Sequence, residues 1–221
     1  MDPRISVRTA YDSIGPEFGK KRTIPWDFVV RWLENKIDKS GNKLKLLVAG
    51  CGSGRHVRLA HNLGYDVKAV DISEKMVKST KLEELKQGRD GSNIFQSDIC
   101  SLNFENEEFD LIISIAVLHH LPFDLCELAL NEFSRILKKQ GEILVSCWDP
   151  SSPSVKNGTN DKKNEHVTWV SWTLPDKEIV SRYYHLPTLI DRKSKWELNK
   201  NLKIINYELE KYNQLFYFSK I

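Results

Sequence analysis

The chain has 221 residues, 40% of them hydrophobic, and a formal net charge of +3. That length and apolar content call for one α/β domain with additions, residues 1–221, rather than two domains. No run approaches the roughly 18 apolar residues of a membrane helix, and the first residues are charged rather than signal-like.

Cys51, Cys100, Cys126 and Cys147 stand far apart without a C-x-x-C pair. This points to reduced thiols in a cytoplasmic protein and to no metal site in this chain. The small net charge conceals a split. Residues 1–45 hold ten Lys/Arg against six Asp/Glu, residues 46–150 hold eleven against sixteen, and residues 151–221 hold twelve against eight. An acidic centre between two basic flanks suits a phosphate-rich partner, if the fold brings the flanks together.

From the N-terminus, residues 11–22 are polar and mixed and predict a short helix and a loop that caps a pocket. Thr23 to Trp26 reads as a helix start, with Pro25 near its first turn. Phe28, Val29, Trp32, Leu33 and Ile37 keep helical spacing to about Lys39, and Trp26 and Trp32 read as core. These elements make residues 1–43 an N-terminal helical cap. A short apolar strand from Leu44 then runs into the glycine-dense turn Gly50, Gly52 and Gly54, and a helix from Arg55 to Leu63 is stopped by Gly64.

Glycine is needed where a turn requires positive φ or where a ligand must approach the backbone. A helix N-terminus behind such a turn offers unpaired N–H groups. Asp71, closing a second apolar segment from Tyr65 to Val70, stands about 20 residues on, where a carboxylate can take two ribose hydroxyls. This strand–turn–helix–strand unit reads as a nucleoside pocket.

Ser73 can N-cap a helix to about Lys86, with Met76, Val77, Leu82 and Leu85 on one face. Residues 88–92 are turn material, residues 93–96 a very short strand, and Ser97–Asp98–Ile99 follow. Phe109 to Val117 is the strongest buried strand, its apolar residues nearly unbroken, with Leu118 to Pro122 at its C-terminal end. Leu125, Leu128, Ala129, Phe133 and Ile136 mark a helix closed by Gln140–Gly141, and Glu142 to Trp148 forms a further strand. Strand–helix alternation with short links implies a doubly wound, mostly parallel sheet, with residues 44–148 as its cofactor-binding core. Asp149 to Glu165 is polar and apolar-poor, so residues 149–168 read as an exposed, mobile loop. Residues 169–221 are expected to supply the substrate-side segment, a polar helix near 188–198 and two last strands, 202–209 and 214–219.

A dinucleotide site would show G-x-G-x-x-G, whereas the spacing here is G-x-G-x-G, followed in series by Asp71, Ser97–Asp98 and Phe109–Asp110. In this order the strings resemble the successive motifs of class I S-adenosylmethionine-dependent methyltransferases, over roughly residues 44–148. The resemblance implies a Rossmann-like sheet of seven strands and S-adenosylmethionine as cofactor. It places Gly50, Gly52 and Gly54 on the methionine side, Asp71 at the ribose, Asp98 and Ile99 at the adenine, and Ile72 and Ile115 in the same site. One departure is plain. Val48 occupies the place of an acidic residue that usually contacts the methionine amino group.

Further strings go beyond the class: Tyr11–Ile14 with Phe18, Arg22–Trp26, Ser114–His120, Cys147–Trp148, Val170–Trp172 and Arg182–His185. In this order they resemble the tRNA wobble-uridine methyltransferases that esterify 5-carboxymethyluridine at position 34. The insertion that usually precedes Arg-Tyr-Tyr-His in that family is compacted here to about residues 151–168. The resemblance implies binding of a tRNA anticodon loop. It also implies a small zinc-binding activator subunit that pairs with the strand carrying Ile94 and Phe95, so that the zinc belongs to the partner and not to this chain.

The chemistry agrees. Methyl transfer from a sulfonium is an in-line displacement, and a carboxylate acceptor is already ionised near neutral pH, so the site needs alignment and desolvation rather than a base. Arg22, His119 and Arg182 are the candidates to hold the carboxylate. Tyr11, Trp148, Tyr184 and His185 are the candidates to wall the flipped uracil. Two other readings stay open, a small-molecule O- or C-methyltransferase and a non-catalytic methyltransferase-like tRNA-binding subunit.

Overall fold

The computed structural model describes residues 2–19, 22–38 and 40–221. Its N-terminal helix, α1, spans Pro3–Phe18, so it begins well before Tyr11. Asp2 caps it, accepting from the Arg4 N–H at 2.9 Å, and Pro3 fits the first turn because no donor is needed there. A second helix, α2 (Asp27–Lys36), buries Phe28, Val29, Trp32 and Leu33; the expected end at Lys39 lies outside the described residues.

The elements that follow are β1 (Lys45–Ala49), α3 (Arg55–Asn62), β2 (Asp66–Asp71), α4 (Glu74–Lys86), β3 (Ile94–Gln96), β4 (Phe109–Ile115), α5 (Phe123–Ile136) and β5 (Leu137–Trp148). Next come β6 (Thr159–Asn160), β7 (Val167–Thr173), β8 (Ile179–His185), α6 (Leu189–Trp196), β9 (Leu202–Glu210) and β10 (Asn213–Lys220). Seven strands form one sheet in the order β3-β2-β1-β4-β5-β10-β9. All neighbours run parallel up to β5, and β10 is antiparallel to both β5 and β9.

Two apolar layers cover this sheet. One joins α2 and α3 to Leu46, Val48, Val67, Ala69, Leu111 and Ile113. The other joins α5 and α6 to Leu47, Ala49, Val70, Ile112, Val145 and Phe216. Alternate residues of β1 serve opposite layers, which is why its apolar run is unbroken. The strand order reverses at β1, so a crevice opens beyond the C-terminal ends of β1 and β4, where ligands bind in such sheets.

Three sequence expectations are corrected, and a second sheet is added to them. Leu82 and Leu85 are exposed, because the buried face of α4 is set by Met76, Thr80 and Glu84 at four-residue spacing. Glu84 pairs with Arg89 through Oε2, while its buried Oε1 has no hydrogen-bond partner among the described residues. β5 starts at Leu137 instead of Glu142, its register with β4 shifting past Phe109. The stretch 149–165 is partly folded in. Val155 and Ser152 are buried, and Thr159–Asn160 pairs with β7. Finally, β6, β7 and β8 form a separate antiparallel sheet, which sequence periodicity did not reveal.

Candidate active site

The glycine turn sits between β1 and α3, and all three of its glycines have positive φ. At Gly50 (φ +78°) a Cβ would lie 2.3 Å from a Val117 methyl, so any side chain would collide with the loop after β4. The turn is anchored to the end of β2. The Gly50 and Cys51 N–H groups both donate to the Val70 carbonyl at 2.8 Å, and the Gly52 N–H donates to Asp71 Oδ2 at 2.8 Å.

Asp71 accepts a further backbone N–H, from Ser73, at 2.9 Å. Its burial pushes the carboxyl up to about 6, against the lowering effect of these two donors. Each carboxylate oxygen thus carries one protein hydrogen bond and retains a lone pair for a ribose diol. Gly50, Gly52, Asp71, Ile72, Asp98, Ile99 and Ile115 all line one cavity of about 1060 Å³, counted with its open mouth. Backbone with no Cβ in the way, a buried carboxylate and apolar walls fit the methionine, ribose and adenine portions of S-adenosylmethionine.

Two expected positions behave otherwise. Gly54 does not line the cavity; it caps α3 in a left-handed conformation, and a Cβ there would meet the Thr80 methyl at 2.7 Å. Asp98 lines it, yet its Oδ2 already pairs with Arg4 of α1 at 3.1 Å. Val48 is buried in the core layer under α2 and α3, so no carboxylate stands at that place.

The other half of the cavity is the expected acceptor side. Leu118–His120 forms a 3₁₀ turn after β4. Nδ1 of His119 accepts the Trp148 N–H at 2.8 Å, which leaves the neutral imidazole its proton on Nε2. Tyr184 lies against both, 4.9 Å from the His119 ring and stacked on Trp148 at 5.1 Å and 14°. Arg182, buried, lies over the Tyr184 and Trp172 rings, and Arg22 lies over Phe18 and Trp172. Among the described residues neither arginine is ion-paired with a carboxylate, and Arg182 Nε has no hydrogen-bond partner. Burial and the neighbouring Arg182 lower the Arg22 guanidinium's proton affinity. Tyr11, from α1, completes this wall.

His185 is corrected. It points away from the cavity and packs edge-on against Phe123 at 4.7 Å, where burial lowers it to about 4. Alternation along β8 explains this, because Arg182 and Tyr184 share one face and Tyr183 and His185 the other.

Several cavity residues were not foreseen: Arg4, Trp26, Ser53, Arg55 and His56. Arg55 carried a readable signal, since a cation in the first turn of a helix opposes the helix dipole. Arg4 carried none before the length of α1 was known.

No proton acceptor suited to neutral pH stands on the acceptor wall. Burial holds His119 well below its usual value and His120 at about 3, and it pushes the Tyr184 hydroxyl up. Among the described residues no cluster of His, Cys, Asp and Glu could hold a metal ion, and no helix is long and apolar enough to cross a membrane.

Comparison with known proteins agrees with this geometry. The family described as "Methyltransferase domain" matches residues 47–145. A protein of Encephalitozoon cuniculi named as a methyltransferase is 28% identical over 183 residues, 81% of this chain and 79% of that one. The tRNA (carboxymethyluridine(34)-5-O)-methyltransferase of Saccharomyces cerevisiae is 29% identical over 173 residues, 76% of this chain. The match spans only 57% of that yeast protein. The crystal structure of magnesium protoporphyrin IX methyltransferase from Synechocystis, with bound S-adenosylmethionine, has the same fold, with a TM-score of 0.65 at 19% identity, covering 100% of this chain and 98% of that one. Residues 47–145 thus carry a methyltransferase domain, and the glycine turn, Asp71 and the sheet order give the chain the fold of the class I S-adenosylmethionine-dependent methyltransferases.

Proposed function

We propose that the chain transfers the methyl group of S-adenosylmethionine to the carboxylate of 5-carboxymethyluridine at wobble position 34 of tRNA, giving the methyl ester. The observation that carries this reading is the acceptor wall itself. Among the described residues Arg22 and Arg182 have no acidic partner there, and burial leaves His119 and His120 only weakly basic. A carboxylate supplies the missing counter-charge and needs no deprotonation. The Trp148–Tyr184 stack offers a flat apolar face to an unstacked uracil.

In this reading the cofactor supplies an electrophilic methyl group, and the chain's work is placement. The two arginines and the Nε2–H of His119 hold the carboxylate, while the aromatic wall excludes water that would solvate it. The named yeast relative and the basic flanks of the sequence support tRNA as the carrier.

A small zinc-binding activator subunit at the β3 edge belongs to the same proposal. β3 is an outermost strand of only three residues with Phe95 exposed, and α4 beside it exposes Leu82 and Leu85. An uncovered edge of this kind is relieved by an added strand. Four free, scattered cysteines fit a cytoplasmic setting.

The test is transfer of tritiated methyl to bulk tRNA, with and without the activator. Label released as methanol by mild alkali is the expected result. Label that survives alkali rules out an ester, and transfer to small acids but not to tRNA moves the assignment to a small-molecule methyltransferase.

A further inference from the structure

We infer that Arg55 binds the α-carboxylate of S-adenosylmethionine, and that this chain recognises the cofactor's amino-acid end through its carboxylate rather than its ammonium group. The inference rests on the cofactor assignment and is independent of what the acceptor is.

Acidic contacts for an ammonium group are missing at this end. Val48, which precedes the glycine turn, is an apolar side chain sunk in the core. Among the described residues only two carboxylates line the cavity, Asp71 and Asp98. The first is held by two backbone N–H groups at the end of β2, and the second is paired with Arg4. Both belong to the ribose and adenine half.

A cation without an acidic partner stands there instead. Arg55 immediately follows the glycine turn and lines the cavity beside Gly52 and Ser53. Its guanidinium lies 4.7 Å over the Trp26 ring and donates one hydrogen bond, from Nη1 to the Ile24 carbonyl at 3.3 Å. Among the described residues it is ion-paired with no carboxylate, so most of its donors remain for a ligand. Burial and the nearby Arg22 push it down to about 10, the response of a cation that lacks a counter-ion. A carboxylate is the anion that the cofactor itself brings to the glycine turn. Arg22, one step further along the wall, is left to the acceptor with Arg182.

The experiment is calorimetric binding of three ligands to the full chain: S-adenosylhomocysteine, its deamino analogue and its decarboxylated analogue. Removing the carboxylate should weaken binding by about 10- to 100-fold, as expected for a charge-assisted hydrogen bond. Removing the amino group should cost much less. In Arg55→Gln the parent and decarboxylated ligands should bind alike, and Arg55→Lys should restore part of the difference. Melting curves of both variants confirm that they fold. The inference is overturned if the amino group matters as much as the carboxylate, or if Arg55→Gln keeps the full discrimination. It is also overturned if Arg55→Gln loses only affinity for RNA, which would make the guanidinium a phosphate contact. Absence of binding by any of the three to the wild type overturns the cofactor assignment itself, a result separable from the others.

Discussion

The Tyr11 hydroxyl lies 2.9 Å from Nε2 of His120, joining α1 to the turn that follows β4. On its far side, Nδ1 of His120 lies 2.8 Å from the Tyr183 carbonyl of β8. With both contacts in place, His120 donates through Nδ1 to the carbonyl and accepts the tyrosine O–H at Nε2. It is a neutral bridge between three elements, which is why its neighbour His119 is the histidine left to meet a ligand.

Tyr11→Phe removes the bridge on one side. A loss of about 0.5–1.5 kcal/mol is expected for one hydrogen bond between partly buried groups. Denaturant unfolding measures it. Because α1 also carries one wall of the cavity, a rise in KM for the acceptor should accompany it.

His119 separates two roles. Asn in its place keeps an acceptor for the Trp148 N–H but loses the Nε2 donor, whereas Gln keeps a donor near the Nε2 position. His119→Asn should lower kcat/KM by about 10-fold or more, and His119→Gln should lower it less. Since burial holds the imidazole neutral, the wild-type rate should be flat between about pH 7 and 9. A rate that climbs with pH in this window would show a base at work.

Arg182 is expected to act against stability. Its guanidinium is buried, unpaired by any described carboxylate and short of a hydrogen bond at Nε. Arg182→Met removes that cost, so the melting temperature should stay level or rise, by the equivalent of about 1 kcal/mol. Methyl transfer should fall by about 10- to 100-fold through lost acceptor binding. A variant that melts much earlier and keeps its activity would contradict the assignment.

Asp71 predicts a pH dependence of cofactor affinity. Its carboxyl is raised from 3.8 to about 6 by burial, and ribose hydroxyls bind the ionised form. Affinity should therefore be full above about pH 6 and fall as pH drops through it, by up to tenfold per unit. The sign for stability is opposite. The raised value favours the folded free chain at low pH, and that contribution is lost as pH rises through about 6. Calorimetry from pH 5 to 8 reads the first effect, and Asp71→Asn should bind weakly without the slope.

Gly50→Ala places a methyl 2.3 Å from Val117 Cγ2 at a φ of +78°. A loss of about 2–4 kcal/mol is expected, the sum of backbone strain and overpacking. Adding Val117→Ala should recover the overpacking part and leave the strain, which thermal unfolding of the double variant can separate.

The strand–turn–helix–strand unit and the doubly wound, mostly parallel class of the sheet were legible from the chain alone. Their signals are local: unbroken apolar runs, glycines where φ must be positive, and Asp71 at the end of a strand. Such features follow from sterics and burial within a few residues, so residues 44–148 declare both the fold and the cofactor.

The acceptor side was decided by packing between distant segments. Tyr11, His119, Trp148 and Tyr184 come from four parts of the chain, and only the fold places their rings in one wall. Strand alternation then sends Tyr184 inward and His185 outward, although the string Arg182–His185 treats them alike. Leu82 and Leu85 stand exposed because Glu84, paired with Arg89, takes the buried face. The sequence by itself determined the parts whose energetics are settled within one strand or turn. Where a side chain's burial depends on a charge or ring supplied by another element, only the tertiary structure could decide its role.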